Sequence, residues 1–423
     1  MIRAVLTALF LSSLTAFAAD NWPEYRGPHG DGHSDAKGLP TKWGEKENVK
    51  WKTPVHDKGW SSPVVWGNQV WLTTATAKGE KLYALAFDRE TGKMIHDLLV
   101  FEINRPDPKD PYHVWAGFNS YSSPTPVIEE GRVYVHFGVA GTACIDTKTG
   151  KILWSIKDKE LDCNHHRGAA SSPVLVGDLL ILTFDGFDVQ FLAAIDKNTG
   201  KVAWKKDRKF HPDSMNGDLK KAYSTPLLIK VGGKDMLVSP SADATAAYDP
   251  KTGDEIWRVV HGGMNASLRP VFGAGKVFTA SSDGGKQLVA IRPEGTGNIT
   301  KTNIEWTFGK GTPNRSSFLI EGDKLYMVNS GGIVTCLDTK DGKELNKTRL
   351  EARGAAFTAS PIISEGKIYI FDEKGGGYIV SATPELNVIA TNTLEDGCKG
   401  SPAAVGKDLF IRTQTQLYCL ETK

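Results

Sequence analysis

The chain has 423 residues, 40% of them hydrophobic and 24% charged, and its 51 basic and 49 acidic side chains leave a formal charge of +2. That balance excludes a disordered or collagen-like chain. Because the basic residues are scattered, it also excludes an electrostatic footprint for nucleic acid or for an anionic membrane surface.

From the N-terminus, residues 1–19 have the form of a Sec-type signal peptide. Arg3 is followed by apolar residues 4–14 and by Ala16-Phe17-Ala18 as a small-x-small cleavage site. The apolar stretch is too short to span a bilayer, so no membrane span is expected. No cysteine lies beside the cleavage site, so a lipoprotein is not expected, and the mature protein is placed in the periplasm or outside the cell. Residues 20–47 form a leader, within which His29-Gly30-Asp31-Gly32-His33 reads as a solvated glycine-rich loop. Residues 48–423 form a single repeat domain.

One phrase recurs through that domain: a Ser-Ser-Pro-type start, a glycine turn, an apolar run, then Asp-x-x-Thr-Gly-Lys and an aromatic residue. Anchored at Pro63, Pro124, Pro173, Pro226, Pro270, Phe318, Pro361 and Pro402, it gives eight units. Each holds short alternating apolar runs separated by glycine turns, the pattern of a four-stranded antiparallel meander. In the third unit the strands are expected at 172–176, 179–184, 190–195 and 202–205. Asp146, Asp196, Asp249 and Asp338 are turn residues that accept from their own backbone, while the following glycines supply positive φ. Trp154, Trp204, Trp257 and Trp306 are seam-packing residues on the outer strands, with His96 and Asn346 in the same place in weaker copies. Asp185-Gly186-Phe187-Asp188 reads as a strand connection rather than a calcium loop. The eighth unit holds three strands, and 48–53 reads as a lone outer strand. Pairing the two closes the ring and leaves no open sheet edge. The fold expected is therefore all-β, an eight-bladed propeller whose last blade is completed by an N-terminal strand.

Cys144, Cys336 and Cys419 fall at a repeat position that elsewhere holds alanine, so they read as small buried strand residues. Cys163 and Cys398 sit in loops, where an exported protein has the choice of pairing them.

Ala194-Ile195-Asp196-Lys197-Asn198-Thr199-Gly200-Lys201-Val202-Ala203-Trp204 resembles the Ala-x-Asp-x-x-Thr-Gly-Lys-x-x-Trp repeat of the quinoprotein-type eight-bladed propellers. That superfamily includes pyrroloquinoline-quinone (PQQ) dehydrogenases and the BamB-type propeller of the barrel assembly machinery. Trp22-Pro23-Glu24-Tyr25-Arg26-Gly27-Pro28 makes the chain look nearest to exported members of uncharacterised role. The resemblance implies PQQ with calcium for an enzyme and a protein partner for a BamB-type module. The chain departs from the enzymes in having no Cys-Cys pair and no Cys-x-x-Cys-His haem motif.

In a meander blade, the loops leading into the first strand share a face with the loops between the second and third strands. Ligands would be met there. From the leading loops the candidates are Trp60, Tyr121, His165, His166, Arg167, Tyr223, His261, Asn265, Arg315, Arg353 and Lys399. This set is aromatic and basic, which favours an anionic ligand, with the rings available to stack a planar or sugar ring. No metal site is expected, and no catalytic residue is assigned. The function expected is a monomeric scaffold or binding module for an envelope protein or glycan. The alternative is a PQQ-dependent or other funnel-sited oxidoreductase.

Overall fold

The computed structural model describes residues 21–104, 119–165, 167–211, 213–285, 287–352 and 354–423; the signal peptide expected over 1–19 lies outside them. Eight antiparallel sheets follow one another along the chain, over residues 64–102, 127–156, 174–207, 227–260, 271–308, 319–349, 362–393 and 403–420. They form an eight-bladed β-propeller, and within each of the first seven blades the strands run in chain order from the axis outward. The eighth blade takes its outer strand, Val49–Pro54, from the other end of the chain, with Trp51 opposite Cys419 and Thr53 opposite Leu417. Every blade therefore has a neighbour on both faces, so the middle strands are buried on both sides and read as continuous apolar runs. In blade 3, Leu179–Asp185 and Gln190–Asp196 are buried almost throughout, whereas the outer strand Val202–Asp207 is half exposed.

The repeat signature works as an interlock between blades. Asp196 Oδ1 accepts from the backbone of Asn198 (3.0 Å) and Thr199 (2.8 Å) and from Thr199 Oγ1 (2.9 Å), which fixes the turn. Gly200 then sits at φ +72°, and a Cβ there would fall 2.8 Å from the ring of Trp154 on the preceding blade. Trp154 Nε1 donates across the seam to Lys197 O at 2.8 Å. The same reach joins Trp51 to Arg89 O (2.8 Å), Trp204 to Pro250 O (3.3 Å) and Trp306 to Thr339 O (3.1 Å). His96 and Asn346 make weaker versions of it, to Thr147 O and Glu385 O.

One feature differs from the sequence expectation, and two others go beyond it. The second blade starts at Pro126, not Pro124: its inner strand is Val127–Glu129, and Thr125 occupies the place that Ser62 holds in blade 1. The fifth unit has lost its turn motif to an insertion. Gly297–Asn298 of that insertion adds a parallel fifth strand to blade 4, opposite Trp257 and Arg258. This strand covers Trp257, which is fully buried. Cys163 and Cys398 do not pair, since all five cysteines are free and buried.

Candidate functional site

The site is built on the residue two positions before the first strand of each blade. A hydroxyl there accepts from the backbone N–H of the equivalent residue one blade earlier. The bonds run Ser62 to Thr125 (3.0 Å), Thr125 to Ser172 (3.0 Å) and Ser172 to Thr225 (2.9 Å). They continue from Arg269 to Ser317 (3.0 Å), Ser317 to Ser360 (3.0 Å), Ser360 to Ser401 (2.9 Å) and Ser401 back to Ser62 (2.9 Å). This girdle fixes the width of the central channel. Its one break is Arg269, which stands where the others have Ser or Thr.

Arg269 is recruited to hold the leader. Its Nη2 lies 3.0 Å from Glu24 Oε1, its Nη1 donates to Tyr25 O, and its Nε donates to Pro226 O at 3.0 Å. The leader enters the channel from the face opposite the leading loops. Asn21 Oδ1 accepts from Gly67 N at one of that face's turns, and Lys37 N and Gly38 N bond Gly406 O and Glu365 Oε2 at two others. Between these ends Trp22 pairs with Val65, Ile128 N donates to Pro23 O, Arg26 Nη2 donates to Phe318 O, and Gly32–Ser34 pair with Ile363. The His29–His33 stretch is thus packed against inner strands rather than a solvated loop. Gly30 and Gly32 have positive φ (+67° and +92°), and a side chain on either would strike Arg269 or Arg26. The leader therefore plugs the channel, with Tyr25 at its tip, where Oη lies 2.9 Å from Ser360 Oγ.

Above this plug the opposite face holds a funnel of about 230 Å³, floored by Tyr25 and the hydroxyl girdle. Of the candidates named from the sequence, Trp60, Arg167, Tyr223, Asn265, Arg315 and Lys399 line it. Three other candidates lie elsewhere. Tyr121 turns its ring toward Gly79 and packs at the seam between blades 1 and 2. His165 is drawn inside, with Nδ1 2.9 Å from Lys221 Nζ and Nε2 3.5 Å from Cys163 Sγ. His261 bonds Thr245 Oγ1 (2.9 Å) and Gly262 O (2.9 Å). His166 and Arg353 lie outside the described residues.

The funnel's charge is not the basic one that the sequence suggests. Arg167 Nη1 is 3.0 Å from Asp218, while Arg315 and Lys399 both face Glu373 at 3.7 and 3.5 Å. Lys399 also lies over Trp60, 4.9 Å from the ring centre. Asp283 joins the wall beside Asn265, whose Nδ2 is 3.2 Å from Asp218 and 3.4 Å from Asp283. Asp283 and Glu373 stand in loops between second and third strands, so the meander rule that supplied the basic residues points to these loops as well. Nothing in the repeat points to Tyr25. Four side-chain atoms on the wall have no hydrogen-bond partner among the described residues: Trp60 Nε1, Tyr223 Oη, and Asn265 Oδ1 and Ser282 Oγ, the last two on residues 5% and 3% exposed. Burial raises the Tyr223 hydroxyl to about 12 and lowers the Lys221 ammonium beneath it to about 8, so at neutral pH the phenol is neutral and the amine charged.

The buried histidines make stability depend on pH. Burial lowers His136 to about 3, and lowers His165 and His261 as well. The unfolded chain takes up these protons near pH 6.5, where the folded chain does not. The contribution of these histidines is therefore complete above pH 6.5 and falls on acidification, by about 1.4 kcal/mol per pH unit per histidine until the folded value is reached. Urea unfolding at pH 7 and pH 5 is expected to show that loss, and His136→Gln is expected to make it shallower by one proton's worth.

An anionic quinone held with a metal ion would meet a wall whose described cations are already engaged. The cations that would meet its carboxylates are already paired with Asp218 and Glu373, and Asp283 is the one carboxylate lining the funnel among the described residues. Among those residues, no three His, Cys, Asp or Glu side chains converge to hold an ion.

Residues 112–227 and 188–423 match the family described as outer membrane protein assembly factor BamB. The quinoprotein ethanol dehydrogenase of Pseudomonas aeruginosa is 29% identical over 224 residues, which is 48% of this chain and 32% of that protein. The 1-butanol dehydrogenase (quinone) of Thauera butanivorans is 28% identical over 218 residues, 47% of this chain and 31% of that protein. The chain thus spans about a third of the length of these relatives. BamB from Moraxella catarrhalis superposes with a TM-score of 0.59 at 11% identity, covering 88% of this chain and 98% of that one. The quinohemoprotein alcohol dehydrogenase ADHIIG from Pseudomonas putida HK5 superposes with a TM-score of 0.62 at 11% identity, covering 95% and 80%. At such identity the likeness to these structures establishes the fold alone.

Proposed function

This chain belongs to the family of the outer membrane protein assembly factor BamB, and on that premise we propose that it is a binding module, exported to the cell envelope, that takes its ligand in the funnel. One observation carries this reading. The channel is sealed at its base by the chain's own leader, and the cup that remains presents Asn265 Oδ1 and Ser282 Oγ buried without partners among the described residues. A buried polar atom left unbonded costs about 1–3 kcal/mol, which a ligand that bonds it recovers. The girdle and the ion pairs hold the wall in place before binding, so little ordering remains for the ligand to drive. No membrane-crossing helix is found among the described residues.

The reading is tested with the mature protein and envelope extract separated into protein, glycan, lipid and small-molecule fractions. At least one fraction is expected to raise the melting temperature, and Ala170→Trp, which fills the mouth without touching the girdle, is expected to abolish the rise. A rise that survives in Ala170→Trp, or none with any fraction, sinks the funnel as the binding site. Calorimetric titration with PQQ and calcium is expected to give no saturable heat. Saturable binding lost in Ala170→Trp would move the chain to the oxidoreductases.

A further inference from the structure

We propose that the wall between blades 4 and 5 reads hydroxyl groups, and that the ligand of the funnel is a neutral saccharide unit of a glycan. The inference rests on the funnel being the binding site. Its basis is the group of polar atoms that Asn265, Ser282 and Asp283 bring together. Asn265 offers an acceptor, Oδ1, that no described residue uses, and Ser282 offers a hydroxyl in the same state. Among the described residues, the Asp283 carboxylate receives one long side-chain bond, from Asn265 Nδ2 at 3.4 Å. The backbone locks these groups together: Met264 N donates to Asp283 O at 2.7 Å, and Asp283 N donates to Met264 O at 3.0 Å. Asn265 itself stands at φ +56°, a left-handed conformation that asparagine tolerates better than most residues and that points to a constrained site.

The chemistry of the wall selects among ligands. The three cations of the wall, Arg167, Arg315 and Lys399, are offset by Asp218 and Glu373, which pair with them, and by Asp283 on the wall itself, so net charge of neither sign is favoured. An apolar ligand would leave Asn265 Oδ1 and Ser282 Oγ dry. A vicinal pair of hydroxyls donates to the carboxylate and the amide oxygen and accepts from the serine, using each atom in its own role. An extended peptide offers its groups along a strand and needs a sheet edge to pair with, whereas this cup is blind, and Tyr25 closes it. Trp60, steadied by Lys399, supplies the flat apolar surface on which the C–H face of a sugar ring rests. A site built to bond hydroxyls discriminates strongly against analogues lacking them, because its own buried groups are then left unpaired.

The experiment is calorimetry, backed by ligand-observed NMR, of the mature protein with methyl glycosides of glucose, galactose and mannose, with N-acetylglucosamine, and with their soluble oligomers. At least one is expected to bind saturably. Asn265→Gly keeps the backbone conformation while removing the amide, and Asp283→Asn keeps the shape while removing the charge. Each is expected to weaken binding about tenfold or more, with the melting temperature near that of the parent. The corresponding deoxy sugar is expected to bind the parent and Asn265→Gly about equally weakly. Absence of binding by every saccharide at millimolar concentration, or binding indifferent to both substitutions, overturns the proposal. If a protein or lipid fraction of envelope extract then raises the melting temperature in a manner lost in Ala170→Trp, the funnel remains a binding site for another class of ligand. If no fraction does, both readings fall.

Discussion

Arg269→Met is expected to destabilise the folded protein by about 3–5 kcal/mol, the usual result of removing one partner from a buried ion pair. Methionine fills much of the same volume, so the loss is electrostatic rather than a cavity. Burial already raises the Glu24 carboxyl above its ordinary value, and the Arg269 charge is what opposes that rise. Without the guanidinium, Glu24 must either take up a proton or remain charged and unpaired, and the Tyr25 and Pro226 carbonyls lose a donor. A carboxyl whose folded pKa stands above its unfolded one favours the folded state at low pH and loses that contribution as pH rises through the folded value. The deficit of Arg269→Met is therefore expected to be smaller at pH 5 than at pH 8. Adding Glu24→Gln is expected to restore part of the loss and to flatten that pH dependence. Urea unfolding of the parent and the two variants at both pH values measures this directly. A single-variant loss below about 1 kcal/mol would mean that the leader is not an integral plug.

The leader also marks where the sequence stops being legible. Turns and seams are local: Asp196, Thr199, Gly200 and Trp204 carry a turn and its interlock within nine positions, and repetition makes the pattern visible. Closure by Val49–Pro54 is legible because a three-stranded last unit demands a partner. In unit two the chain offers two prolines a residue apart, and only the hydroxyl girdle, which needs Thr125 in line with Ser62 and Ser172, decides for Pro126. The funnel is legible to the extent that a leading loop must lie on its face, which recovers Trp60, Arg167, Tyr223, Asn265, Arg315 and Lys399. Which way a loop side chain turns depends on partners from other blades. Lys221 draws His165 inward from fifty-six residues away, and Asp218 and Glu373 neutralise cations from separate loops. No spacing rule carries such pairings.

Asp185→Ala is expected to have an effect of similar size, about 3–5 kcal/mol, at the seam between blades 3 and 4. Asp185 Oδ2 lies 2.7 Å from Arg208 Nη1 and accepts from Ser241 Oγ at 2.8 Å, and both charged side chains are fully buried. The guanidinium also donates to Ser239 O at 2.7 Å and to Tyr248 Oη at 3.2 Å. Burial pushes the Asp185 carboxyl up, while the pairing with Asp185 keeps Arg208 charged. Removing the carboxylate leaves a fully buried cation with no counter-charge. Replacing both partners, as Asp185→Leu with Arg208→Met, removes both desolvation penalties together and is expected to cost far less than Asp185→Ala alone. A double-mutant cycle by urea unfolding decides what the pair is for. Strong coupling with a near-neutral double variant makes the pair a device that fixes how blade 3 meets blade 4, since a sliding seam would strand the charges. A double variant as unstable as the single one would instead give the pair a net stabilising role, through the bonds that Arg208 makes to Ser239 and Tyr248.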